Sequence, residues 1–251
     1  MKFVRYEANG KIAYGTLSGD TIHELKGDPF KGYSESGKVI ALADAKLLAP
    51  TTPSKLVAVG LNYRSHLGNR PTPANPEIFL KTPSSVLDPL GEIVIPKNAE
   101  NVHAEGELVV VMKNRTKRAT PEEAAANILG VTCGNDVSAR TWQRNDMQWW
   151  RAKSSDTFGP FGPAIATGLD YGNLQLQTRI NGQVVQSQTT ADLIFPVPTL
   201  VSFISQVMTL EPGDVVFTGT PGTTTALNKG DVVEVEIEGI GTLRNAITTE
   251  V

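Results

Sequence analysis

HAEGELVVV, residues 103–111, sets two glutamates one residue apart at the mouth of a run of valines. The valines predict a buried strand over 107–112, and strands that enter a core rarely open with two carboxylates. In a strand, residues i and i+2 point to the same face. Glu105 and Glu107 therefore project together if the strand extends back through Gly106, within reach of one cation. On a helix the same pair would lie about 200° apart. Two neighbouring carboxylates repel, and both ionise comfortably only beside a positive partner. Two readings stand at this point: solvated charges at a strand end, or two ligands of a shared cation.

Downstream, Thr120-Pro121-Glu122-Glu123 has the marks of a helix start, with an N-cap, a proline at the first position and early acids. The helix is expected to run through AAANIL and to end at Gly130. GVTCGNDVSAR follows, with Asp136 among Gly134, Asn135, Ser138 and Ala139, and Arg140 four positions on. Small residues let backbone approach a ligand closely, and arginine suits a bidentate grip on a carboxylate. Three carboxylates with water and substrate oxygens make an oxygen-only donor set, suited to Mg²⁺, Mn²⁺ or Ca²⁺ rather than zinc. A turn or helix cap is the alternative role for Asp136.

Upstream, residues 61–101 are rich in proline and glycine around one short apolar stretch, IFL. They predict a functional loop or lid, or a misread element. Residues 1–48 read as a small β domain. KFVRYEA and KIAYGTL alternate in polarity around Asn9-Gly10, a strong hairpin signal, and TIHEL gives a third strand. APTTPS, 49–54, reads as a linker to a main domain over 55–251. There, Asn181-Gly182 predicts another hairpin, and PTLVSFISQVMTL has apolar residues at helical spacing. DVVFTGT, DVVEVEIEGI and TLRNAI read as strands. The class is mostly β (α+β) with a few helices.

The formal net charge of −3 gives no footing for nucleic acid or an anionic membrane surface. Cys133 is the single cysteine, so an intrachain disulfide and a zinc–thiolate cluster are excluded, and a buried small residue is its expected role. MKFVRYEANGK places charges where a signal peptide is apolar, and no segment approaches the ~18 apolar residues of a membrane span. A soluble, cytoplasmic protein is expected. No dinucleotide fingerprint, phosphate-binding loop, nucleophile elbow or internal repeat is present.

Four stretches carry a resemblance to a known family: VAVGLNYRSH, HAEGELVVV, GNDVSARTWQ with KSSDTFGPFGP, and PGDVVFTGTPG. In this order they resemble the fumarylacetoacetate hydrolase family over essentially the whole chain. The first 45 residues look like the small N-terminal domain of many bacterial members. The resemblance implies a β-roll of mixed, sandwiched sheets and a homodimer. It implies Mg²⁺ or Mn²⁺ held by Glu105, Glu107 and Asp136. It implies substrate contacts from Arg140, Gln143, Lys153 and Thr220, with Lys153 and Thr220 at the 2-oxo acid end. Lys153 would place a second positive charge near a developing oxyanion.

His66 falls where the family has a short lid helix. In hydrolysing and decarboxylating members a glutamate three residues on completes a water-activating dyad. Here that position is Asn69, which can orient an imidazole but cannot hold a proton as a carboxylate does. Glu77 lies in the same stretch as a possible substitute. His23 is expected to be structural and His103 to orient its loop, and the tryptophans of WQRNDMQWW (142–150) are expected in core or dimer-interface packing, with aromatic walls of a pocket as the alternative.

The leading expectation is metal-dependent C–C hydrolysis of an acylpyruvate-type 2,4-dioxo acid through a metal-stabilised enolate, with His66 and Lys153 catalytic. The alternatives are isomerisation of a 2-hydroxyhepta-2,4-diene-1,7-dioate-type substrate, as in aromatic-compound catabolism, and oxaloacetate-type decarboxylation. A catalytically silent metal-binding β protein is the reading from a different class.

Overall fold

The structure, a computed structural model, describes residues 1–250. The strand Gly106–Met112 is buried at every position and lies inside the largest sheet. It pairs antiparallel with Ile128–Asn135 on one side and with Val215–Phe217 on the other. Strands covered on both faces read as continuous apolar runs, which is why valines occupy successive positions here. One face packs Leu108, Val110 and Met112 against Leu176, Val235 and Leu243 of a second sheet and Leu200, Val201 and Ile204 of the helix Val197–Val207. The other face packs Val109 and Val111 against Phe3, Leu56, Phe161, Ile165 and Phe217.

The largest sheet runs, in spatial order, Gly32–Ala41, Thr21–Asp28, Lys11–Ser18, Lys2–Ala8, Gly159–Ala166, Ile128–Asn135, Gly106–Met112, Val215–Phe217, Leu56–Gly60 and Glu77–Lys81. It is mixed, because Val215–Phe217 and Leu56–Gly60 run parallel. The second sheet runs Gln183–Thr189, Gln175–Ile180, Val232–Ile237, Gly241–Thr249 and Glu92–Ile95. A third, small sheet joins Ser138–Ala139, Val102–Ala104 and Thr225–Ala226 beside the HAEGE segment.

The hairpin at Asn9-Gly10 forms, with both residues at positive φ (51° and 71°) as a two-residue primed turn requires. The N-terminal unit also has a long fourth strand, Gly32–Ala41. It lies at the sheet edge with almost every residue exposed, so it carries no apolar alternation to announce it. Lys2 and Phe3 pair with Ala166 and Ile165, which makes the unit continuous with the main sheet. The 49–54 segment lacks regular structure, as expected of a linker, yet it is packed down. Ala49, Pro50, Thr51 and Pro53 are buried. The Ala49 amide donates to Asp88 Oδ1 (2.7 Å) and the Thr51 hydroxyl to the Gly213 carbonyl (3.1 Å).

Thr120 caps the helix Pro121–Ala126 with a full capping box to Glu123. The helix stops at Ala126 rather than at Gly130, which lies inside the strand Ile128–Asn135. Gly130 answers to packing: a Cβ there would sit 2.4 Å from the Ala166 carbonyl oxygen of the neighbouring strand. The 61–101 stretch is in part a misread element. Arg64–His66 forms one short 3₁₀ turn, whereas Glu77–Lys81 is a strand paired along its length with Leu56–Gly60.

Candidate metal centre and its cavity

Glu105 sits at the break between the strands Val102–Ala104 and Gly106–Met112, and Glu107 lies two residues on. Register brings the third acid to them. Gly106 pairs with Asn135 and Glu107 with Gly134, and the Asp136 amide donates to the Glu105 carbonyl (2.9 Å). Gly134 is required at that crossing, since a Cβ would meet Val109 Cγ2 at 2.4 Å. One carboxylate oxygen from each of Glu105, Glu107 and Asp136 lies within 4.8 Å of the others, and all three residues are buried. An oxygen-only, three-carboxylate donor set of this spacing fits a hard divalent cation.

The acids are surrounded by cations. Lys153 donates to Glu105 Oε2 (2.7 Å) and to Asp136 Oδ2. Arg140 Nη2 donates to Glu105 Oε1, and Arg140 Nη1 to Gln143 Oε1 (2.8 Å). Lys81, to which the sequence assigned no role, is 1% exposed and donates to Asp136 Oδ1 (2.7 Å) and to the Lys153 carbonyl. The signal available was a lysine closing the apolar IFL run, at a position that proves to be paired with Leu56.

Glu107 is the exception: among the described residues no cationic side chain lies at ion-pair distance, and its Oε2 accepts from the Gly219 amide (2.7 Å). Gly219 has φ +104°, and a Cβ there would lie 2.8 Å from Asn62 Cβ, so the T-G-T turn needs glycine. Asn62 holds that turn through the Thr218 carbonyl (2.8 Å), a buried tie that the sequence reading passed over. The Thr220 hydroxyl donates to the Gly106 carbonyl (2.9 Å) and accepts from Gln186 (2.9 Å).

These surroundings divide the two glutamates electrostatically. Burial opposes ionisation of Glu105, but Lys153 and Arg140 outweigh it and hold the carboxyl well below the usual range. Burial, then repulsion from Asp136 and Glu105, pushes Glu107 well above it. Lys153 is raised: burial works against its charge, and Asp136 and Glu105 more than compensate. Lys81 is lowered, chiefly by burial.

The raised pKa of Glu107 means that, wherever this carboxyl is protonated, a cation must displace that proton to bind. Because the shift is upward, Mg²⁺ affinity should weaken as pH falls below the raised pKa, approaching about 10-fold per pH unit for one proton. Calorimetric titration of Mg²⁺ in buffers of different ionisation enthalpy should register that proton release. A pH-independent affinity with no proton released would refute the assignment.

The centre opens into a cavity of about 690 Å³ lined by His66, Glu105, Glu107, Asp136, Arg140, Gln143, Lys153 and Thr220, which gathers every site residue expected from the sequence. Glu77, Phe79, Trp149 and Thr224 also line it. Asn69 is exposed and is not among the lining residues. The His66 ring bonds through Nδ1 to the Gly222 carbonyl (2.6 Å), and its Nε2 lies 3.9 Å from Glu105 Oε1.

Thr224 was missed by sequence reasoning. Its hydroxyl oxygen accepts from Arg140 Nη2 (2.9 Å) and bonds His103 Nδ1 (2.8 Å), while His103 Nε2 meets Asn101 Oδ1 (2.9 Å). With the Asn101 oxygen accepting, Nε2 carries the ring proton and Nδ1 accepts from the Thr224 hydroxyl. Burial and the nearby Arg140 lower the His103 pKa, consistent with a neutral ring.

The tryptophans divide. Trp149 stands edge-on to Phe79 (5.4 Å between centroids) in the cavity wall, Trp142 packs beneath Arg151, and Trp150 is 69% exposed. Cys133 is buried, and burial pushes its thiol up to about 12, as an inert core residue.

Comparison with known proteins supplies the wider context. The family described as "Fumarylacetoacetate (FAA) hydrolase C-terminal" matches residues 55–248, and "Rv2993c-like, N-terminal" matches residues 1–50. The human mitochondrial protein named oxaloacetate tautomerase FAHD2A is 41% identical, over 83% of this chain and 71% of its own length. Among solved structures, 5-carboxymethyl-2-hydroxymuconate delta-isomerase from Mycobacterium smegmatis superposes with a TM-score of 0.94 at 42% identity, over 100% of both chains. A 2-hydroxyhepta-2,4-diene-1,7-dioate isomerase from Mycobacterium marinum gives a TM-score of 0.93 at 42% identity, over 100% of this chain and 99% of the other.

Proposed function

The chain belongs to the fumarylacetoacetate hydrolase family, and from that premise we propose that it is a divalent-metal-dependent isomerase or tautomerase of a small 2-oxo acid. The observation that carries this reading is the environment of His66. Its Nδ1 meets a backbone carbonyl, so Nδ1 is the N–H donor, and in the neutral ring Nε2 is the acceptor, turned toward the carboxylate cluster. No lid carboxylate backs it, because Asn69 replaces the glutamate and stays outside the cavity. Such a base can take a proton from carbon and return one, whereas water activation calls for a partner to orient the water and accept its charge. The three relatives described above, two isomerases and a tautomerase by name, agree with this chemistry.

Glu105, Glu107 and Asp136 would hold Mg²⁺ or Mn²⁺, which when bound supplies Lewis acidity beside the 2-oxo oxygen. Arg140, Gln143 and Thr220 orient the substrate carboxylate. Lys153, buried and charged, favours negative charge developing on the 2-oxo oxygen. His66 Nε2 moves the proton at the adjacent carbon. Phe79 and Trp149 supply an apolar wall beside these groups.

Hydrolysis of an acylpyruvate stays as a second reading because Glu77 lines the same cavity and could orient a water for His66. The test is a panel of oxaloacetate, a 2-hydroxydienoate diacid and an acylpyruvate, each with Mg²⁺ and with chelator. Metal-dependent enol–keto or double-bond isomerisation, without pyruvate release from the acylpyruvate, is expected. Pyruvate release outpacing isomerisation would replace this reading with the hydrolase. Metal binding with no turnover of any substrate would favour the silent protein. A homodimer belongs to the same reading and is tested by light scattering of the purified chain.

A further inference from the structure

Two arginines of the cavity take no part in the chemistry above. Arg70, just beyond His66, and Arg144, in the helix Arg140–Asn145, both line the cavity. Both are exposed, and among the described residues neither has a carboxylate at ion-pair distance; the Arg118 side chain is likewise unpaired but lies outside the cavity.

Charge balance at the inner end gives these arginines a meaning. With Glu107 ionised as a metal ligand, the three charges of Glu105, Glu107 and Asp136 balance those of Lys81, Lys153 and Arg140. A bound divalent cation leaves two positive charges. One substrate carboxylate and the negative charge developing on a 2-oxo oxygen neutralise them. A second carboxylate has no counter-charge at that end and must find one farther out.

The helix supplies it. Arg140, Gln143 and Arg144 stand at i, i+3 and i+4, on one helix face. Arg140 is tied to Glu105, so Arg144 lies about one turn, ~5.4 Å, along the same wall. That is the separation between the two carboxylates of a short diacid, and the apolar flank of Leu67, Phe79 and Trp149 suits its carbon chain. Glu77 adds one negative charge to this outer region, and two arginines outweigh it.

We propose that Arg70 and Arg144 form an outer carboxylate subsite that makes the cavity selective for 2-oxo diacids over 2-oxo monoacids. The inference rests on the reading of the inner end as a metal-dependent 2-oxo acid site. Calorimetry on the Mg²⁺-loaded protein separates the two. Oxalate probes the inner end alone; 2-oxoglutarate and 2-oxopentanoate differ only at the distal carboxylate. The wild type should bind 2-oxoglutarate about 10-fold or more tighter than 2-oxopentanoate. Arg70→Gln and Arg144→Gln should each shrink that ratio and together bring it near one, with oxalate affinity unchanged. Oxalate binding without a diacid preference, or a preference that survives both substitutions, would overturn the subsite alone. Absence of Mg²⁺-dependent oxalate binding would overturn the inner site and the subsite together.

Discussion

Asp136→Asn should cost the protein both its metal and much of its stability, whereas Glu107→Gln should cost it the metal alone. Asp136 accepts from two buried ammonium groups, Lys81 on Oδ1 and Lys153 on Oδ2. Neutralising it leaves those cations short of a partner, and removing one member of a buried pair costs about 3–5 kcal/mol. At roughly 2–4 °C per kcal/mol for a chain near this size, the melting temperature should fall on the order of 10 °C.

Glu107 differs because no cation is paired with it and its neighbours already favour the protonated form. A carboxyl whose folded pKa is raised contributes stability that is complete below the unfolded pKa and is lost as pH rises through the folded one. Glutamine mimics the protonated acid and still accepts from Gly219, so the metal-free variant should melt within a few degrees of wild type. At alkaline pH it should equal or exceed it. Both variants should bind Mg²⁺ at least about 10-fold more weakly, since losing a ligand costs no less than losing one of its outer hydrogen-bond partners, about 10–100-fold. Melting curves in chelator, paired with Mg²⁺ titration, check this. Equal destabilisation by the two substitutions would mean that Glu107 is ionised and paired in the metal-free protein.

The contrast between these acids also marks what could be read from the chain and what could not. Glu105 and Glu107 were legible as candidates because strand geometry is local: alternation fixes the relative direction of i and i+2 without knowledge of the rest of the fold. The Asn9-Gly10 hairpin and the Thr120 cap are local in the same sense, and both form. Lys81 was not legible. Its partner lies 55 residues away and its burial depends on the pairing of Glu77–Lys81 with Leu56–Gly60. Gly130 misled because glycine has two uses, as a helix stop and as a place where backbones approach, and only the neighbouring strand at Ala166 distinguishes them. Thr224 is an ordinary loop residue until Arg140 and His103 arrive on either side of its hydroxyl. The strand Gly32–Ala41 stayed hidden because an exposed edge strand need not alternate.

His66→Ala should lower turnover by about 10²–10⁴-fold, the usual contribution of a positioned acid–base group, while leaving Mg²⁺ affinity within about twofold. The separation follows from position. His66 Nε2 lies 3.9 Å from Glu105, too far for a hydrogen bond, and the three carboxylates are held by Lys81, Lys153, Arg140 and the Gly219 amide without it. The ring is fixed from the other side by the Gly222 carbonyl, and Ser65 ties the same loops by accepting from the Gly222 amide (3.0 Å). A structural role would appear as lost thermal stability or lost metal. A role in proton transfer would appear as lost exchange of the hydrogens on carbon 3 of a bound 2-oxo acid, followed by NMR in D₂O. Exchange should stop with His66→Ala and persist with Glu77→Gln if isomerisation is the reaction. Exchange that survives His66→Ala and stops with Glu77→Gln would move the base to Glu77 and reopen the hydrolytic reading, because a carboxylate there could serve a water as readily as a carbon acid.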